Sequence, residues 1–151
     1  MCPFADTSFL FATYFQQANS QRAVEWLEAA TSSEFEISPI VRYEFVQGAR
    51  MEAHFRRTHG VRGFTEGAVL TALGAFELDE ENGAITVTDF DWAAILSRAY
   101  TLSERHTIAE GHRALDILHV ATALNLGVRE FLTFDQNQRR LAEAEGLVVP
   151  V

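Results

Sequence analysis

The chain has 151 residues, 48% of them hydrophobic, and a formal net charge of -9; this suits one domain, residues 1–151, whose core removes about 70% of the unfolded chain's surface from water. Such an acidic chain excludes nucleic-acid binding through a broad basic surface, because that mode scales with the phosphates neutralised, so any such contact is expected to be local. The apolar runs fall short of the roughly 20 residues of a membrane span and no cationic segment leads into an apolar one, so a cytoplasmic protein with no membrane association is expected.

Cys2 is the only cysteine, which rules out an internal disulfide and a cysteine-rich zinc site. All twelve basic residues are arginine. A phosphoryl-transfer site built on a lysine, such as a P-loop, is therefore absent.

In chain order, Cys2 to Ala5 reads as a strand ending at Asp6, and Asp6-Thr7-Ser8 caps a first helix that carries Phe9, Phe11, Tyr14 and Phe15. A second helix covers Ser20 to Ala30. Phe35 to Ile37 is a short strand, and Ser38-Pro39 opens a long helix through Glu44 toward Arg57. Phe64 to Leu78 forms a further helix or helical pair, ending in the acidic turn Asp79 to Gly83. Ala84 to Val87 is a strand, and Thr88 or Asp89 caps a helix running to about Arg105. Ala114 to Leu126 is an apolar helix stopped by Gly127. Glu130 to Phe134 is a strand, Asp135 caps the helix Gln136 to Glu145, and Leu147 to Val149 is the last strand. Strands alternating with helices predict an α/β fold, a central parallel sheet of about four to five short strands with helices on both faces.

Four acids interrupt this apolar framework: Asp6, Glu44, Asp116 and Asp135. A carboxylate there is costly unless its charge is compensated. Asp6 and Asp135 follow strands and belong at the carboxyl edge of the sheet, where open parallel sheets carry their sites; each also suits a plain helix N-cap. Glu44 shares a helix face with Ile40, Val41 and Gly48. Asp116 sits in a helix apolar nearly all round, on a narrow stripe with His119 and Thr122. An internal ion pair with Arg42 or Arg113 is the structural explanation for Asp116. Taken together, converging carboxylates need a shared cation, and oxygen-only ligands select Mg²⁺ or Mn²⁺. Such a site suits hydrolysis of a phosphodiester.

The ordered set Asp6-Thr7-Ser8-Phe9-Leu10, Glu44, Leu115-Asp116-Ile117-Leu118-His119-Val120-Ala121-Thr122-Ala123 and Leu132-Thr133-Phe134-Asp135 resembles PIN-domain ribonucleases, most closely VapC-type toxins of bacterial toxin–antitoxin pairs. The resemblance spans essentially the whole chain. It implies a PIN-like fold and a Mg²⁺- or Mn²⁺-dependent endoribonuclease acting on RNA, with Asp6, Glu44, Asp116 and Asp135 at the acidic metal positions. Ser8 and Thr133 match positions that support the first and last acids. An antitoxin covering the site and a homodimer are implied as partners. Asn137 stands where many relatives carry a further acid.

His119, one turn after Asp116, is expected to support a carboxylate rather than to bind metal. His54, His59, His106 and His112 form no zinc-like pattern and are assigned to the surface. Arg42, Arg50, Arg56, Arg57 and Arg62 make the third helix and its exit the basic region of the chain, a candidate strip for positioning RNA phosphates beside the site. A phosphatase or receiver domain with Asp6 as nucleophile is disfavoured by the missing lysine. A catalytically silent PIN module that binds RNA or a protein partner is the alternative reading, disfavoured by the presence of all four acids.

Overall fold

Residues 2–30, 33–60 and 62–151 are described by the computed structural model. Four short parallel strands, β1 (Phe4–Ala5), β2 (Phe35–Ile37), β3 (Ile85–Val87) and β4 (Phe131–Leu132), lie in the order β3-β2-β1-β4. Phe4 pairs with Glu36 on one side and Phe131 on the other. The chain therefore builds outward from β1 through β2 to β3, then returns to place β4 on the opposite flank. The reversal opens a crevice above the carboxyl ends of β1 and β4, the position where such sheets hold ligands.

Helices α1 (Thr7–Tyr14), α2 (Ser20–Ala29), α3 (Pro39–His59), α4 (Glu66–Glu81), α5 (Trp92–Leu102), α6 (Ile108–Glu110), α7 (Ala114–Leu126) and α8 (Gln136–Ala144) flank the sheet. None of the described helices is long and apolar enough to cross a membrane. The α/β architecture and parallel sheet expected from the sequence are present.

The aromatic residues of α1 are core. Phe9 is fully buried and meets Phe35, Trp26 and Phe134 with ring centroids 5.5–6.0 Å apart, while Phe45 meets Phe11, Tyr14 and Phe76. Such edge and offset contacts add about 0.5–1.5 kcal/mol per pair beyond burial. Gly48 matters here, because a Cβ on it would lie 3.0 Å from the Phe11 ring. Helix α7 runs through the interior, burying Ile117, Val120, Ala121 and Ala123, and Gly127 at φ 71° turns the chain out of it. That left-handed conformation suits a residue without a Cβ.

Several boundaries differ from the sequence reading: α4 continues to Glu81, through residues expected in the acidic turn, and β4 is shorter than Glu130 to Phe134. The cap of α5 is Asp91, which accepts from the backbone N–H of Ala93 and Ala94. Thr88 is still occupied by the sheet, its N–H donating to Ile37, and Asp89 accepts from the N–H of its neighbour Phe90 rather than from the start of the helix. Helix α5 does not stop near Arg105. It passes through a π turn, Ser103–Thr107, into α6, because no glycine or proline interrupts the chain before Gly111 at φ 72°. The last strand is reduced to one parallel bridge between Glu130 and Val148. Pro150, lacking an N–H, cannot extend it.

Candidate active site

The carboxyl ends of β1 and β4 are tied together by Asp6, which is fully buried. Asp6 caps α1 by accepting from Phe9 N–H at 2.9 Å, and it accepts hydroxyl bonds from Ser8 at 2.7 Å and Thr133 at 2.6 Å. The same two hydroxyls continue outward: Ser8 accepts from Phe134 N–H, and Thr133 accepts from Asp135 N–H. Each thus satisfies the carboxylate on one side and the end of β4 on the other. Burial pushes the Asp6 carboxyl above its ordinary value, opposed by the bonds from Thr133, Phe9 and Ser8 and by the charge of His119.

Glu44, in the second turn of α3, is half-buried. Its Oε2 accepts from the Thr7 hydroxyl and lies 2.9 Å from Nε2 of His119, whose side chain is 2% exposed. An ionised Glu44 makes that nitrogen the N–H donor. The His119 bond holds the Glu44 carboxyl below the usual range, against the opposing effect of burial. The polar stripe on α7 is thereby accounted for: Asp116 faces the cleft and His119 orients a carboxylate from another helix.

Asp135 caps α8, its Oδ1 accepting from the N–H groups of Asn137 and Gln138. Its Oδ2 accepts from Arg113 at 2.9 Å. The same guanidinium bonds both oxygens of Asp116, at 2.9 Å and 3.1 Å, and the Arg113 backbone N–H reaches Asp116 as well. Arg113 is the residue before α7 and Asp116 the third within it, so the helix start aims both at one point. The bond to Asp116 raises the already high pKa of Arg113 further.

Thr7, Ser8, Phe11, Glu44, Arg113, Asp116, Asp135 and Gln138 line a cleft of about 390 Å³. The structure therefore brings three of the four predicted acids to one cleft and seals the fourth, Asp6, beneath it. Arg42 is not Asp116's partner; it pairs with Glu80 at 2.7 Å. The basic strip does not flank the acids. Arg56 lies twelve residues beyond Glu44, about 18 Å along the helix at 1.5 Å per residue, and Arg42, Arg50, Arg56 and Arg57 project at least about 120° around it from Glu44. Arg50, His54, Arg56 and Arg57 instead line a separate groove against Val69, Leu70 and Leu73 of α4. His112 is buried rather than on the surface, its Nε2 3.3 Å from Glu110.

Of the cleft residues outside the predicted set, three are polar: Thr7, Arg113 and Gln138. Arg113 was visible only as a possible partner of Asp116, although an arginine at a helix cap three residues before an acid is the signal for this bridge. Gln138, a turn into the helix that Asp135 caps, is buried with its Oε1 free of any hydrogen-bond partner among the described residues.

The donor set fits a hard divalent cation. Every group is an oxygen, two carboxylates from different helices already share one positive charge, and the orphaned Gln138 oxygen adds a neutral acceptor. Among the described residues no group of three acids or histidines is arranged to hold an ion as it stands, since Asp116 and Asp135 are both committed to Arg113.

A family model of the PIN domain matches residues 4–144. Among solved structures the chain is similar to VapC20 of Mycobacterium tuberculosis, described as a sarcin–ricin loop cleaving toxin, at 23% identity and a TM-score of 0.64, covering 96% of this chain and 95% of that one. A toxin–antitoxin complex from Klebsiella pneumoniae matches at 19% identity and 0.62, covering 99% and 98%. FitAcB from Neisseria gonorrhoeae matches at 19% and 0.61, covering 97% and 94%. Curated proteins give no significant match. At these identities the structural likeness establishes the fold.

Proposed function

The chain belongs to the PIN-domain family, and from that premise we propose that it is a divalent-metal-dependent endoribonuclease, the toxin of a toxin–antitoxin pair. The observation that carries this reading is the sharing of one cation by Asp116 and Asp135 in a cleft at the ends of β1 and β4. Two carboxylates held that close demand positive charge, and RNA hydrolysis uses it.

Glu44, Asp116 and Asp135, which line the cleft, would hold the ion, with Asp6 beneath them as the fourth acid of the set. When bound, Mg²⁺ or Mn²⁺ supplies an activated water and neutralises charge on the phosphate. The protein supplies orientation. His119 and Thr7 fix Glu44, while Ser8 and Thr133 lock the strand ends from which Asp6 and Asp135 project.

RNA is the proposed substrate because VapC20, which shares the fold, is described as cleaving the sarcin–ricin loop. A cognate antitoxin is the proposed partner, by analogy with the Klebsiella pneumoniae complex. The protein acts as a homodimer of single PIN domains, each spanning residues 1–151, in the cytoplasm. Arg50, Arg56 and Arg57 grip RNA backbone away from the cut, since they are exposed and form no ion pair among the described residues.

The second reading is a silent PIN module that binds RNA or protein, favoured by the engagement of two acids with Arg113. Incubating purified protein with RNA and Mn²⁺ separates the two. The enzyme cleaves, stops on chelation and loses activity on Asp116→Asn; full cleavage by that variant would sink the proposed mechanism.

A further inference from the structure

Asp116 and Arg113 differ sharply in their freedom. The Asp116 side chain is 4% exposed, whereas that of Arg113 is 68% exposed. A carboxylate so deeply placed needs a cation at all times, because its charge is too poorly solvated to stand bare. The arginine is not confined in the same way, since most of its side chain faces solvent and can move without unpacking the core. Its guanidinium nevertheless spends three hydrogen bonds on the two acids that a metal needs.

From this geometry we infer that Arg113 is an internal competitor of the divalent ion: guanidinium and metal exchange on Asp116 and Asp135, and Arg113 thereby sets the metal concentration at which the site loads. The inference rests on the reading of these acids as metal ligands. Two properties make the exchange workable. Asp116 is held in place without the guanidinium by the N–H of the helix cap, and Asp135 by two N–H groups of α8, so both carboxylates keep their positions when the arginine leaves. Both sites of positive charge are also mutually exclusive, because a cation and a guanidinium on the same oxygens repel. Displaced, Arg113 remains tethered one helical turn from Asp116 and returns when the ion departs.

The test is Mn²⁺ titration of the whole chain by calorimetry, with thermal melting of the same samples. Arg113→Gln should bind Mn²⁺ at least about tenfold more tightly than the unaltered protein. It should melt lower without Mn²⁺ and recover toward the unaltered protein's melting temperature when saturated, since the ion replaces the lost charge. Arg113→Lys, which keeps the charge but cannot fork across two carboxylates, should fall between them and serves if the glutamine variant does not fold. Unchanged or weaker Mn²⁺ binding in Arg113→Gln overturns the inference and makes the arginine a fixed organiser of the acids. If the unaltered protein binds Mn²⁺ through Asp116 and only this comparison fails, the proposed function stands. If neither protein binds Mn²⁺, both fall.

Discussion

Glu44 and the arginines farther along α3 share a helix but not an environment. Glu44 is half-buried and fixed by groups from α1 and α7, with its charge answered by His119. Arg50, Arg56 and Arg57 are exposed, face α4 and meet no acid among the described ion pairs. The contrast separates two kinds of charged region. A site for chemistry is built from charges that fold into fixed positions, whereas an electrostatic grip needs only charges left free.

The sharpest way to break that separation is Asp116→Asn. If chemistry resides in the cleft alone, cleavage falls on the order of a thousandfold or more in a metal-dependent assay, while RNA binding survives. Equal loss of binding would merge the two regions. His119→Ala comes next, with an expected 10- to 100-fold fall in activity or metal affinity, the usual range for losing a group that orients a ligand. Glu44 also gives this variant a pH signature. Its folded pKa is lowered, so its stabilising contribution is present above the ordinary value of 4.5 and is lost as pH falls through the lowered one. The stability difference between His119→Ala and the unaltered protein should therefore narrow in acid, measured by denaturant melts at several pH values.

Arg56→Ala with Arg57→Ala probes the other region. It should weaken RNA binding a few-fold and reduce the salt slope by about 1.4, roughly 0.7 for each phosphate contact to a single strand, with Mn²⁺ affinity unchanged. An unaltered slope would leave those arginines as ordinary solvated residues. The smallest effect is on stability and has the opposite sign. Asp6 is raised by burial, so its contribution is favourable below its ordinary 3.8 and is lost as pH rises through the raised value. Asp6→Asn should hence raise the melting temperature at neutral pH, on the order of 3 °C, with the gain shrinking toward pH 3.8. A variant that melts lower at neutral pH would mean the carboxylate's bonds outweigh its desolvation.

The fold was legible because its signals are local. Ser38-Pro39 starts α3, Gly127 ends α7, and Asp135 caps α8, each through contacts within a few residues. The acids were legible for a different reason, as charges at apolar positions. What escaped was relational. The orientation of the arginines away from Glu44 depends on which face of α3 meets α4, and the double engagement of Arg113 depends on α7 and α8 starting side by side. The boundary between Thr88 and Asp91 shifted because the Thr88 N–H is already donated to the Ile37 carbonyl of a distant strand. His112 was misassigned since a lone polar residue beside Gly111 carries no sign of the packing around it.

Asp6 and Thr133 are 127 residues apart, yet one hydrogen bond between them joins the two strand ends that carry the cleft. Closing so long a loop is an entropic cost met only when the intervening chain has packed. During synthesis, a polypeptide still short of Thr133 has neither that hydroxyl nor Asp135, and its Asp6 has no β4 to hold. The cleft is thus completed late, once β4 and Asp135 have joined the strands and helices that precede them.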